Sequence, residues 1–292
     1  KVALAQYIKK DCQLKIDARL LFDVQVKRIH EYKRQLLNIL HVIALYQELV
    51  DGPQEQLPGR AVIFAGKASP SYRQAKLIIK LINSVAEVVN QDSRTRDRLQ
   101  VVFLPNYSVS LAEKIMPAAD LSEQISTAGT EASGTGNMKL GLNGALTIGT
   151  LDGANIEIRQ EVGVENIFIF GMTLEEVKAH RQKHEAKREP QRICETSPRI
   201  ARVISSLRDG HFSKRDKDLF RPIVDSLLNP FDPYLVVADL PDYLHCQQQV
   251  EKAFGNGPVW TRMSILNVAR MGKFSSDRTI RQYAREIWGL DT

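Results

Sequence analysis

The feature that most constrains this chain is a regular exchange between two hydrophobic periods. LLFDVQVKRI (20–29), AVIFAG (61–66) and LQVVFLP (99–105) are short, nearly continuous apolar runs. Between them lie KRQLLNILHVIALYQELV (33–50) and SYRQAKLIIKLINSVAEVVN (71–90), whose apolar residues recur at helical spacing. Strands that are apolar on both faces, alternating with amphipathic helices, specify a parallel sheet covered on both sides. The first helix meets a stop signal at Asp51-Gly52-Pro53, and the second starts just after Pro70. A short helix is predicted over 110–117, and further strands over 121–126, 145–150 and 167–171. DGPQEQLPG (51–59) reads as an exposed loop. The expected fold is α/β, with a doubly wound, mostly parallel, Rossmann-like sheet.

Beyond about residue 172 the pattern becomes more helical and more polar, with helices predicted over 173–188, 197–208, 216–228, 240–254 and 258–271. A terminal helix over 276–288 follows the cap Ser275-Ser276-Asp277. With no repeat and no low-complexity linker, residues 1–292 read as a single lobe. It comprises a leading helix at 1–18, a sheet core at 19–172 and a helical remainder at 173–292. Charged residues at 25% and hydrophobic ones at 43% exclude fibrous and wholly disordered classes. No run approaches the roughly 20 apolar residues that span a bilayer. The opening KVALAQYIKKDCQLKID does not read as a secretory signal, and Cys12, Cys194 and Cys246 form no Cys-x-x-Cys pair. The expectation is a cytoplasmic protein without disulfides, metal site or membrane partner.

Forty basic against 34 acidic residues leave a net charge of +6, which favours anionic partners. The basic tract HRQKHEAKREPQR (180–192) has no interleaved aromatics and reads as a solvated helix face, so no nucleic-acid partner is expected. Two other stretches carry the chemistry. In AGTEASGTGNMK (128–139), small residues and glycines lead towards a helix. Such backbone lets N–H groups approach an anion closely, Thr135 adds a hydroxyl, and Lys139 follows one turn later. This is neither a P-loop nor a dinucleotide fingerprint. It suits a phosphorylated cofactor held by a lysine that Met138, Leu140 and Leu142 would desolvate, and equally a glycine-rich turn followed by a surface lysine. VKRIHEYKR (26–34) puts cations at the carboxyl end of the first strand, where an α/β sheet holds anions. It reads as an anion site or as a solvated basic helix start, with His30 a general base or a structural histidine. Tyr107, after the third strand, either stacks on a flat ring or packs in the core. LNGALTIGTLDGAN (142–155) reads as support for the same edge, with Asp152 and Asn155 as candidate site neighbours.

VQVKRIHEYKRQLLN, NYSVSLAEKIMPAADLSEQIS, EASGTGNMKLGLNGALTIGTLDGAN and GKFSSDRTIRQYAREIW together resemble the α-glucan phosphorylases, the glycogen, starch and maltodextrin enzymes. The likeness runs in order from about residue 20 to 289 and is weakest over 180–250. It implies a pyridoxal-phosphate enzyme that cleaves terminal α-1,4-glucosidic bonds with inorganic phosphate and releases glucose 1-phosphate. By matching position, the resemblance makes Lys139 the Schiff-base lysine. It assigns Lys27, Thr135 and Gly136 to the cofactor phosphate, and Tyr107 to the pyridoxal. Arg28 and Lys33 would take the substrate phosphate, and Glu131, Ser133 and Gly134 the sugar hydroxyls. Tyr72 matches an aromatic near the entrance to the site. Family chains are much longer, so this one corresponds to the C-terminal lobe of a two-lobed glycosyltransferase. The resemblance implies a homodimer when complete, an absent N-terminal lobe as partner, and little activity for the lobe alone.

Overall fold

The computed structural model describes residues 1–52, 58–183 and 187–291. One sheet contains six strands: β1 Leu21–Val26, β2 Arg60–Ala65, β3 Leu99–Leu104, β4 Leu121–Gln124, β5 Leu146–Gly149 and β6 Phe168–Ile169. All its pairings are parallel, and the order across it is β3-β2-β1-β4-β5-β6. The chain therefore starts at the centre, winds outward to β3, then returns beside β1 and winds the other way. This is the doubly wound order, and the crevice for a ligand lies where the winding reverses, between β1 and β4. The ladder there is short. Asp23 stands opposite Leu121 and Val24 opposite Ser122, whereas β1 and β2 stay in register from Leu21–Arg60 to Val26–Ala65.

The alternation of side chains builds two core layers. Val62 and Phe64 of β2 face one, while Ala61, Ile63 and Ala65 face the other. The second layer is closed by α1 Val2–Cys12 and α4 Val109–Ile115 through Leu4, Ile8, Leu111 and Ile115. The first is closed by α2 Gln35–Asp51, α3 Arg73–Gln91, α8 Glu189–Thr196, α9 Pro198–Arg208, α10 Arg221–Leu227 and α11 Val236–Phe254. Helix α2 is buried continuously from Gln35 to Gln47, which a helix apolar nearly all round requires. It packs against α3, α9 and α11, and each of Ile39, Leu40 and Ile43 contributes about 2 kcal/mol by leaving water. Burial rather than capping holds α2, because Arg34 at its start makes no side-chain cap.

The remaining elements are α5 Gly136–Leu142, α6 Asn155–Val162, α7 Leu174–Gln182, α12 Gly257–Arg270 and α13 Ser276–Glu286. Several predicted bounds shift. The leading helix ends at Cys12 rather than 18, and the strand predicted over 167–171 pairs only at Phe168 and Ile169. The helix predicted over 173–188 is α7, begun by a Thr173–Glu176 capping box and finished by Gln182; α8 then starts separately at Glu189. Part of that tract, 184–186, lies outside the described residues, as does most of the predicted loop at 51–59. Helix α11 begins at Val236, earlier than the predicted 240, and carries Pro241 within its first turns. No described helix is long and apolar enough to cross a membrane.

Candidate active site

At the reversal point the chain leaves β1 through Val26 and Lys27, and leaves β4 through Gln124. Lys27 Nζ donates to Gln124 Oε1 at 2.7 Å, tying the two strand exits together. A cavity of about 240 Å³ opens beside this contact. Lys27, Lys33, Tyr107, Glu131, Ser133, Gly134, Thr135, Gly136 and Lys139 all line it. Residues as far apart as 27 and 139 thus share one wall, because parallel topology returns each strand's exit to the same edge of the sheet. A second cavity of about 510 Å³ shares Tyr107, Met116 and Lys139 with the first.

The glycine-rich loop is braced from beneath. Asp152, buried beyond β5, accepts hydrogen bonds from the Gly129 N–H (2.8 Å), the Glu131 N–H (2.9 Å) and the Ser126 hydroxyl (2.7 Å). Asn155 Nδ2 donates to the Gln124 and Thr150 carbonyls, and its Oδ1 accepts from Asn137 Nδ2. The Ala154 N–H donates to the Ser133 carbonyl at 2.9 Å. At Gly153 the backbone has φ of +52°, and a Cβ would meet the Ser133 oxygen at 2.7 Å, so only glycine fits this approach. The tract read as edge support is thus the floor of the loop. Asp152 and Asn155, weighed as neighbours, both line the cavity.

The electrostatics of the two lysines differ. Burial lowers the Lys27 ammonium to about 8, with the charge of Lys33 pushing the same way and that of Glu131 opposing. Burial acts on Lys33 too, but its ion pair and hydrogen bond with Glu131, helped by the Tyr32 hydroxyl, more than offset it and raise the group above the ordinary lysine value. The Lys33 ammonium also sits 4.5 Å from the centre of the Tyr32 ring. Burial raises the Tyr107 phenol.

Some expectations change. Lys139 is exposed, so its sequence neighbours do not desolvate it. On α5 consecutive residues point to different faces: Leu140 enters the layer of α1 and α4, Met138 packs beside Ala154 and Ile158, and Leu142 is itself exposed. Arg28 is exposed and does not line the cavity; its carbonyl accepts from Gln35 Nε2 at 3.0 Å. His30 caps the turn at Glu31–Lys33 by accepting from the Tyr32 N–H, the structural alternative. Tyr72 lies outside the cavity lining and donates its hydroxyl hydrogen to Glu31. Gln124 and Ser126 were not anticipated; an amide in a buried strand leaves no periodic mark, and only its place at the reversal point could have flagged it.

The donor set suits a phosphate monoester. Lys27 supplies an ammonium, Thr135 a hydroxyl that makes no capping bond, and Gly134 and Gly136 a backbone without side chains. The model of the family described as carbohydrate phosphorylase matches residues 1–290. The chain belongs to the carbohydrate phosphorylase family. A glycogen phosphorylase of Synechocystis sp. is 57% identical over 290 residues, covering 99% of this chain and 34% of the relative. One from Chlamydia pneumoniae is 56% identical over 277 residues, covering 95% of this chain and 33% of the relative. The human muscle form is 54% identical over 292 residues, covering all of this chain and 34% of the relative. This phosphorylase chain therefore spans about a third of the length of these relatives.

Proposed function

We propose that this chain is the C-terminal, cofactor-bearing lobe of an α-glucan phosphorylase, which cleaves terminal α-1,4-glucosidic bonds with inorganic phosphate to give glucose 1-phosphate. The observation that carries the reading is the convergence of Lys27, Thr135, Gly136 and Lys139 on one cavity at the reversal point of the sheet. The residues fit pyridoxal 5'-phosphate. Lys139, in the wall shared by both cavities, would hold the aldehyde end, Tyr107 would flank the ring, and Lys27, Thr135 and Gly136 would hold the ester. When bound, that group supplies a phosphate with a second ionisation near neutrality, able to exchange a proton with a neighbouring phosphate.

The protein's task is then electrostatic. Two phosphates in contact repel strongly unless cations stand between them. Lys27 and Lys33 face the cavity, and Arg28 would have to swing towards it from its exposed position. A substrate phosphate would share Lys33 with Glu131, whose carboxylate can also accept a hydrogen bond from a sugar hydroxyl. Cations so placed stabilise charge as the glucosidic bond breaks towards an oxocarbenium-like state. The sugar-facing wall and chain-length choice fall to the two thirds of the relatives' length that this chain does not span. The test is phosphorolysis by a full-length protein that contains this chain. Lys139→Ala abolishes glucose 1-phosphate formation, and Arg28→Ala cripples saturation by orthophosphate while cofactor remains bound. The 292-residue chain alone makes no product. An unchanged phosphate dependence in Arg28→Ala would refute the assignment, and a full-length protein without phosphorolysis would leave a lobe that only binds anions or glucans.

A further inference from the structure

On the side of β4 opposite Gln124 lies a cluster of charge that the site does not use. Asp23 of β1, Arg60 of β2 and Glu123 of β4 are all fully buried, and α11 adds Tyr243, Gln247 and Glu251. Arg60 Nη1 donates to Asp23 Oδ2 at 2.8 Å and to Gln247 Oε1 at 2.6 Å, and Arg60 Nη2 reaches Glu251 Oε1 at 3.4 Å. Gln247 Nε2 donates to Glu123 Oε1 at 2.7 Å. Two carboxyl oxygens are left over: Asp23 Oδ1 and Glu123 Oε2 are buried and have no donor. They belong to side chains on the same face of neighbouring strands, Glu123 lying two residues beyond the Leu121 that stands opposite Asp23, and Gln247 ties both together, bonding Glu123 directly and Asp23 through Arg60. Two carboxylates cannot hydrogen-bond each other, and an uncompensated buried charge is costly. A single proton between them satisfies both orphan atoms.

We propose that Asp23 and Glu123 share one proton, with Glu123 an uncharged acid donating through Oε2 to Asp23 Oδ1, and that this proton fixes the spacing of β1 and β4 at the reversal point. The charges facing the pair support that placement. Burial raises Asp23 as well, but Arg60 bonds it directly and draws it back down, whereas among the described residues Glu123 accepts only from the neutral Gln247 amide. Burial and then the charge of Asp23 push Glu123 well above the ordinary carboxyl range. His41 of α2 adds no cation, because burial, Arg60 and Arg199 pull it down. Glu251 pairs with the other side of Arg60, and burial raises the Cys246 thiol and so keeps it neutral, which adds no further anion beside the pair. The backbone ladder between β1 and β4 ends at Val24–Ser122. The shared proton ties Glu123, one residue past that end, diagonally back to Asp23, and the residue after Glu123 is the Gln124 that holds Lys27. Glu123 is thus a positioning residue. The proton's location stands on the fold alone; only its effect on anion binding rests on the proposed role of Lys27.

The sign of the pH effect follows. A folded-state value above the unfolded one means that Glu123 stabilises the fold below the ordinary glutamate range, about 4.3, and that this contribution is lost as pH rises through the raised folded value. Infrared spectra of the folded chain in heavy water at about pH 8 read the proton directly, since carboxyls of ordinary acidity are ionised there. The expected spectrum contains the carbonyl stretch of an un-ionised carboxyl, and E123Q lacks it. E123Q also gains stability relative to the parent chain as pH rises, because an amide has no proton to lose. Should E123Q fail to fold, carbon-13 spectra of the parent chain give the same reading: one glutamate carboxyl stays in the protonated position above about pH 6. A folded chain in which every carboxyl is ionised at that pH overturns the proposal, as does an un-ionised band that survives in E123Q.

Discussion

Lys27 and Lys33 show how one short segment gives two cations different tasks. Lys33 is held charged by Glu131, whereas Lys27 is held by an amide, which offers no charge in return. Lys27 therefore enters the folded state at a cost. Its folded value, about 8, lies below that of a free lysine, so its stabilising contribution is present above the ordinary lysine range and lost as pH falls through about 8. Below about 8 the fold carries an ammonium in want of an anion. Orthophosphate is accordingly expected to raise the thermal midpoint of the chain at about pH 7 and to lose most of this effect at about pH 9. Lys27→Met removes the difference. A midpoint shift equal at both pH values and unaffected by the substitution would show that Lys27 is not the anion's partner.

The elements are fixed to one another by few residues, and Arg34 is the clearest case. It is fully buried with φ of +56° at the start of α2, in a region that disfavours ordinary side chains. Arg34 Nη1 pairs with Asp239 of α11 at 2.6 Å, and Arg34 Nε donates to the Ile125 carbonyl at 2.7 Å. One side chain therefore joins α2, the exit of β4 and α11. Arg34→Met leaves Asp239 buried with, among the described residues, only the long Met172 N–H bond to its side chain, and is expected to cost about 3–5 kcal/mol in denaturant unfolding. Adding Asp239→Asn to it should recover part of that loss; a single-variant cost under about 1 kcal/mol would contradict the role.

What the sequence reveals divides along similar lines. Strand and helix identity were legible because β1, β2 and β3 are short and largely apolar and α2 and α3 keep helical spacing. The glycine-rich loop and Lys27 were legible because their chemistry is local. Asp23 and Glu123 were not: a charge inside a strand argues against burial, and Arg60 and Gln247, which make burial possible, lie far away in the chain. The exposure of Lys139 was missed because residues adjacent in sequence point apart on a helix.

At the scale of the whole molecule, the sheet and its two layers form a closed core, while one end does not. Ile280, Tyr283, Ile287 and Trp288, on α13 and just after it, stand exposed, and α13 buries only Ala284 among its described residues. A chain spanning about a third of its relatives' length is consistent with such uncovered surface. The cavity, by contrast, needs no other segment to bring Lys27, Thr135 and Lys139 together. The isolated chain is therefore expected to take up pyridoxal phosphate at Lys139. The direct measurement is to add the cofactor, reduce with borohydride, digest, and locate the modified lysine by mass spectrometry. The expected result is one stoichiometric adduct on Lys139, with none on any other lysine and less of it in Lys27→Met. An adduct scattered over surface lysines, or a single one elsewhere, would contradict it.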